Sequence, residues 1–487
     1  GALPSLATPA GASDMITLPL PAFTPAANTE YWATVTFILA QDQPWATRDH
    51  EIAWAQFQVP VGSERRSLDR SSSAASEQLT GASVALRDGQ LVVDGERFQL
   101  AFDSKTGEIT QYAFDGKSLV LAGPLFNFWR APTDNDDNTW GDQKMAIRWR
   151  EVGLDRLVVE DTAVLAEETD EGEPVVVKTR TEMAGVVDRD AVAQQSWQER
   201  LTQLRGLLTY AIDEEGLRGL TESFALDYDK LAGSSQSDKA HRFVDEMAQR
   251  EAISPLLKAL YALVSGPLAD KTPDVIREAL RSSAELPAES LKTSFMPKDV
   301  ARFTVDCRYQ IENSGALLIE VNVTPKGEQP PAWPRIGLQL TLPGDYATFT
   351  WFGRGPHESY ADRKESAKVG LYTGSVAEQY VPYGKPQENG NKTDVRWAAL
   401  TDTNGFGLRV ESQPLLNISA HHFTTVDLTQ AMHTFELKHR NEITLNLDYA
   451  QTGLGNASCG PGVLPQYTVT PKVYQFSLRL VPTAVSE

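Results

Sequence analysis

The chain has 487 residues, more than one hydrophobic core usually organises, so two or three domains are expected. Hydrophobic residues make up 41% and charged residues 23%, the balance of a folded chain and not of a disordered one. A formal net charge of -20 disfavours any surface that must neutralise phosphates or anionic lipid, which excludes nucleic acid and membrane as expected partners. Two cysteines, Cys307 and Cys459, build neither a disulfide framework nor a cysteine zinc cluster. No run reaches the roughly 18 to 20 apolar residues of a membrane span, and residues 1–25 lack a basic segment followed by an apolar core. A cytoplasmic location is expected.

Residues 1–61 hold short strand-like runs at Ile16–Leu20, Tyr31–Ile38 and Ile52–Val59, fewer than the about seven an immunoglobulin-like sandwich needs. This stretch reads as a partial immunoglobulin-like β-sandwich. Residues 62–81 are Ser/Arg-rich without apolar periodicity and read as a linker. From residue 82 the pattern alternates every second residue, with hairpin signals at Asp94-Gly95 and Asp115-Gly116. Residues 184–298 change to helical spacing: Trp197, Leu201, Leu204 and Leu208 share a face, Phe243 pairs with Met247, and Leu256, Leu260 and Leu263 follow. Thr272-Pro273-Asp274 is a helix-start signal. Strands resume at Phe303–Tyr309 and Leu317–Val323 and continue to the end, with a turn at Asp402–Gly405. A helical block between β segments is best read as an insertion into a sheet loop. The expected fold is mainly β, an antiparallel supersandwich over residues 82–487 interrupted by the insertion at 184–298.

Four segments stand out: Phe128-Trp-Arg-Ala-Pro-Thr-Asp-Asn135, Trp351-Phe-Gly-Arg-Gly-Pro-His-Glu-Ser-Tyr-Ala-Asp-Arg363, Tyr380-Val-Pro-Tyr-Gly-Lys-Pro-Gln-Glu-Asn-Gly390 and Gly453-Leu-Gly-Asn-Ala-Ser-Cys-Gly-Pro461. In content and order they resemble the last domain of glycoside hydrolase family 2 β-galactosidases, found as the end of a long chain or as a separate small subunit. The resemblance implies a galactose-mutarotase-like supersandwich, with residues 14–61 similar to the second half of the preceding immunoglobulin-like domain. It implies no role for the helical block.

Retaining glycoside hydrolysis needs two carboxylates about 5 to 5.5 Å apart. The resemblance implies that these lie on a TIM-barrel part or large subunit, so no catalytic residue is assigned in this chain. It implies instead a wall of the substrate pocket. Cys459 stands where the best-known members carry an aromatic side chain that stacks on sugar, and a thiol offers no comparable apolar face. Glu388, in the loop after Pro386, is similar in place to a residue near the second sugar's hydroxyls; the bland alternative is that it orients the Asn389-Gly390 turn. His357 beside Glu358 has the composition of an acid/base pair, but a structural turn is the better expectation. His421 and His422 are adjacent on a strand and point to opposite faces, so no metal site is assigned. Asp134, Asp136 and Asp137 lack the glycine and distal glutamate of a calcium loop and read as a turn or interface. No cofactor is expected in this chain, and any Mg2+ or Na+ of the whole enzyme is expected to bind elsewhere.

The function expected is therefore the C-terminal part or small subunit of a β-galactosidase acting on terminal β-D-galactosides such as lactose, in an oligomer with the catalytic part. The alternatives are an aldose 1-epimerase-like domain, which needs a histidine acid and a glutamate base at the sugar, and a noncatalytic carbohydrate-binding domain.

Overall fold

A computed structural model describes residues 3, 8–18, 20–21, 23–26, 29–60, 82–137, 144–167, 173–189, 197–198, 201, 204–209, 212–267, 280–281 and 299–483. The chain divides into two units, Gly1–Ser72 and Ser73–Glu487. The proposed linker at 62–81 and the Thr272-Pro273-Asp274 signal lie outside the described residues.

In the first unit β1 (Tyr31–Ile38) and β2 (Glu51–Val59) pair antiparallel, with Tyr31 opposite Val59 and a bulge at Phe37/Ile38. Two of the three runs read from the sequence are thus strands. Ile16–Leu20 is not a strand at its described residues, because Pro19 and Pro21 bracket Leu20 and remove ladder donors. Phe37, Ile38, Ile52 and Phe57 remain exposed on the pair.

The second unit begins with β3 (Ser83–Arg87), β4 (Gln90–Asp94), β5 (Phe98–Asp103), β6 (Ile109–Phe114), β7 (Lys117–Val120) and β8 (Ala122–Asn127). Then come α1 (Asp134–Asp137), α2 (Met145–Glu151), β9 (Leu157–Ala166), β10 (Val175–Gly185), α3 (Glu214–Ser223), α4 (Gln236–Gln249) and α5 (Ile253–Ser265). The remainder is β11 (Ala301–Ile311), β12 (Leu317–Gly327), β13 (Arg335–Leu342), β14 (Thr348–Gly355), β15 (Lys368–Ser375), β16 (Lys392–Thr401), β17 (Gly407–His421), α6 (Thr425–Gln430), β18 (Ile443–Gln451) and β19 (Tyr474–Thr483).

Strands β3 to β7 form a five-stranded meander. Its Asp115-Gly116 turn has φ of 48° and 73°, the left-handed pair that lets a two-residue loop follow strand twist. The other strands make a twelve-stranded antiparallel sheet that branches at β17. The first half of β17 pairs with β19, Gly407 opposite Thr483, and the second half with β18, Asn417 opposite Asp448. Branching lets the sheet curl into layers over one core. Trp333, with no exposed surface, sits there among Phe128, Phe303 and Tyr474 at ring distances of 5.6, 5.4 and 5.6 Å.

The helices α3 to α5 interrupt this sheet without disturbing it. Strands β10 and β11 pair from Val175 opposite Ile311 to Ala184 opposite Arg302, so the chain leaves after one strand and returns beside it. The helical block therefore replaces a hairpin loop, the kind of place where added chain costs little. It has its own core, in which Leu208, Leu217, Phe243, Leu256 and Leu260 are fully buried, and it includes the apolar positions read from the sequence. Ser235 caps α4 through a reciprocal box with Asp238, and Asp213 caps α3. Among the described residues no helix is long and apolar enough to cross a membrane.

Removing the Trp333 ring leaves a cavity where three other rings lose their contacts. A Trp333→Ala variant is predicted to lose about 3–5 kcal/mol of stability. Denaturant unfolding of the parent and variant checks this, and equal midpoints would contradict the packing described.

Candidate functional site

The four segments that stand out in the sequence are far apart along the chain and meet in one polar cluster. Arg130, which has no exposed surface, is placed where β8 ends; its Nη2 lies 2.7 Å from Asp136 and its Nε donates to the same carboxylate at 3.0 Å. The Asp136 carboxylate also accepts from the Thr133 N–H at 2.9 Å, which fixes the short turn of α1. The remaining donors of Arg130 reach the carbonyls of Thr452 and Gly453, tying the first segment to the fourth. A buried guanidinium with five donors is well suited to such bridging.

Two further side chains grip the Gly453–Pro461 loop. Asn135 donates to the Gly455 carbonyl at 2.8 Å and accepts from the Ser458 N–H at 2.9 Å. Asp362 accepts from the N–H groups of Leu454 and Gly455 at 2.9 and 2.7 Å. This approach requires glycine: a Cβ on Gly453 would lie 2.5 Å from the Asp362 carboxyl carbon. Cys459 is exposed at the outer end of the loop, its N–H donating to the Asn456 carbonyl at 3.0 Å.

The third segment enters from the other side. The Glu388 N–H donates to the Ala131 carbonyl at 3.1 Å, and the Gln387 side chain bonds Asp134 at 3.1 and 3.2 Å. Lys385 lies 3.2 Å from Asp137. Glu358, from the second segment, accepts from the Gly390 N–H at 2.8 Å, from Tyr383 and from Arg363. His357 points away from it, to Ser366 Oγ at 2.9 Å. Gly390 has φ of 73°, and a Cβ there would meet His421 at 2.7 Å, so this turn too accepts only glycine.

Beneath the loops the Glu388 carboxylate is buried against Arg335 and accepts from Gln451 at 3.3 Å. Arg335 Nη1 lies 3.4 Å from Asp448, an ion pair without a hydrogen bond. Burial opposes the charge of Arg335, but the attraction of Asp448 and then Glu388 outweighs it and raises its pKa. Asp448 is held differently. Its two oxygens accept no hydrogen bond, so burial pushes its pKa up from 3.8 to about 7, with Arg335 only partly offsetting it. Lys392, seated 5.2 Å from the Trp351 ring, is brought down to about 8 by burial. His421 is buried with Nε2 at 2.9 Å from the Asn389 carbonyl, and burial lowers its pKa. His422 turns to the Arg440 carbonyl and stacks on His439 at 4.0 Å.

Cys459 and Glu388 thus belong to one network, joined through Gln451, Thr452 and Gly453, but occupy opposite ends of it. The Glu388 carboxylate faces the scaffold and not the surface, because Arg335 has no solvent to neutralise it. Among the acidic run, Asp136 anchors Arg130 while Asp134 and Asp137 join the third segment. Sequence reasoning did not single out Arg130, Asn135, Arg335, Asp362, Lys392 or Asp448. Asp448 was signalled by a charge at the end of the uncharged run Ile443–Leu447, whereas Arg335 stands at the start of its strand and gave no such signal. The charged centre of the cluster, Arg130, Arg335, Glu388 and Asp448, is buried, and the loop carrying Cys459 is exposed. An open groove of about 780 Å3 lies elsewhere, across the sheet face that carries Lys178, Arg308 and Glu320.

Fold and site together define a large antiparallel β domain whose polar cluster braces a set of loops. The chain belongs to the family described as Beta galactosidase small chain, whose model matches residues 94–219 and 266–480. The family described as Beta-galactosidase, domain 4, matches residues 1–60. The gap in the first match falls on the helical block. A Beta-galactosidase of Priestia megaterium is 25% identical over 459 residues, covering 94% of this chain and 32% of that protein. One from Arthrobacter sp. is 24% identical over 503 residues, covering 97% and 35%. One from Kluyveromyces lactis is 37% identical over 153 residues, covering 31% and 15%. The chain thus spans about a third of the length of the first two relatives. A solved galactose 1-epimerase from Lactobacillus acidophilus NCFM aligns with 7% identity and a TM-score of 0.33, covering 83% of this chain and 98% of that one, a likeness too slight to carry an argument.

The raised pKa of Asp448 gives a pH test. Between about 4 and 7 the folded chain keeps a proton that the unfolded chain has lost, so this group's contribution makes stability fall as pH rises through that window. Relative to Asp448→Asn, the parent is predicted to be progressively less stable from pH 4.5 to about 7.5. Denaturant midpoints for both proteins at several pH values check this, and a constant difference would contradict the assignment.

Proposed function

We propose that this chain is the C-terminal part or small subunit of a β-galactosidase that hydrolyses terminal β-D-galactosides such as lactose. It forms one wall of the substrate pocket and stabilises the assembly, while the nucleophile and acid/base glutamates lie on a TIM-barrel part or large subunit. The observation that supports this reading is the convergence of four separated segments on one braced surface within a family described as a β-galactosidase small chain. Cys459 is the rim residue proposed to face the second sugar or leaving group, and Glu388 supports the same wall from beneath. The assembly is proposed to be oligomeric and cytoplasmic, with any Mg2+ or Na+ bound outside this chain.

Hydrolysis of a chromogenic galactoside by the remainder of the enzyme is predicted to rise at least about tenfold when this chain is added, the scale of losing one positioned wall of a site. Rates that do not change on mixing would end the proposal. An aldose 1-epimerase reading predicts faster mutarotation of fresh α-galactose by the chain alone; polarimetry at buffer rate removes it.

A Cys459→Trp variant adds an aromatic face worth about 0.5–1.5 kcal/mol where a sugar can stack. In the assembled enzyme it is predicted to change the ratio of lactose to nitrophenyl galactoside kcat/KM by roughly twofold to twelvefold. Equal effects on both substrates would argue against a role in contacting the second sugar.

A further inference from the structure

The loop that carries Cys459 makes few contacts of its own. Cys459 N–H to the Asn456 carbonyl and Asn456 N–H to the Pro461 carbonyl, both at 3.0 Å, close its tip as a local turn. At the loop's base the Gly453 N–H donates to the Tyr467 carbonyl at 2.8 Å, and Ala457 is buried; the side-chain hydrogen bonds come from other segments. Arg130 holds the loop's base at Thr452 and Gly453, but beyond Gly453 the grip belongs to Asp362 and Asn135. Asp362 takes two consecutive N–H groups with its two oxygens, and Asn135 takes a carbonyl and an N–H three residues apart with its two ends. Those four bonds fix both the rotation and the height of the loop, since each side chain contacts two backbone groups. The Gly453 backbone is also pressed to the Asp362 carboxyl so closely that no side chain fits between.

We propose that Asn135 and Asp362 are positioning residues that fix the Gly453–Cys459 loop and through it set which second sugar or leaving group the assembled enzyme prefers. The second half of this statement rests on the pocket-wall reading; the first half stands on the geometry alone. Neither residue touches substrate in this account. Each acts by limiting where Cys459 sits. Asp362 contributes more per bond, because its charged carboxylate accepts both N–H groups, whereas Asn135 is neutral.

The two thiols make a direct test available. Cys459 is exposed, whereas Cys307 is buried and its thiol is pushed up to about 12 by that burial, so a methanethiosulfonate nitroxide attaches at Cys459. Electron paramagnetic resonance then reports the loop's mobility in the 487-residue chain. Asp362→Asn keeps the side chain's size but leaves one oxygen for two donors; Asn135→Ala removes both bonds without touching Asp362. Each is predicted to raise the ratio of mobile to immobile spectral component at least about tenfold, the scale of losing one charge-assisted hydrogen bond for Asp362→Asn or two neutral ones for Asn135→Ala. Near-UV circular dichroism matching the parent's separates loop release from general loss of packing, and either variant alone suffices if the other does not fold. Unlabelled variants assembled with the rest of the enzyme are predicted to change the ratio of lactose to nitrophenyl galactoside kcat/KM. Unchanged line shapes in a folded variant overturn the proposal whatever the activity does. Released loops with an unchanged ratio overturn the link to substrate preference. An assembled parent that hydrolyses no galactoside sinks the pocket-wall reading, while the line shapes still decide the clamp.

Discussion

One guanidinium inside the sheet governs how the surrounding loops are arranged. Arg335 begins β13 with no exposed surface, and an unpaired charge there would cost several kcal/mol. One carboxyl partner comes from the neighbouring strand, since β18 runs antiparallel to β13 and brings Asp448 opposite Gly337. The other does not come from the sheet. It requires the Tyr380–Gly390 segment to fold down until Glu388 reaches the guanidinium, and that descent brings the Glu388 N–H to Ala131 and Gln451 to the carboxylate. Charge neutralisation and loop placement are therefore one event.

A second buried arginine repeats the logic on the other side. Arg130 is neutralised locally by Asp136, which leaves its remaining donors for the carbonyls of Thr452 and Gly453. Since Gln451 contacts Glu388 and Thr452 contacts Arg130, two consecutive residues at the end of β18 join both clusters. The loop that follows reaches outward to the exposed Cys459. Beyond Gly453 its polar contacts to other segments, among the described residues, are the four bonds of Asp362 and Asn135, which single substitutions remove.

The β character of the large unit was legible because alternation of apolar residues and Asp-Gly turns are local signals, and strands such as Leu317–Gly327 and the Asp402–Gly405 turn lie where those signals fall. The helical block was legible for the same reason: Leu201, Leu204, Leu208, Phe243 and Met247 all face its separate core. The run Ile16–Leu20 misled because apolar content suggested a strand while flanking prolines removed the donors a ladder needs. At the site, Glu388 and Cys459 drew notice by their places in long motifs, yet the residues that brace them did not. Asn135 and Asp362 look like ordinary turn residues in sequence, and their role depends on a partner loop more than ninety residues away, as the separation of Asp362 from Leu454 shows. Arg335 needed knowledge of which strand lies beside β13, information that periodicity does not hold.

The braced surface is defined by how its charges are matched, with the buried Asp448 the exception. Glu388 is paired with Arg335, Asp136 with Arg130, Glu358 with Arg363, and Asp394 with both Arg354 and Lys364 at 2.6 and 3.0 Å. Asp362 spends its two oxygens on backbone N–H groups. A carboxylate so engaged cannot move without breaking the bonds that hold a loop in place. A surface whose acids serve as braces keeps its loops at fixed positions, because each such carboxylate is tied to a partner on another segment or to backbone N–H groups.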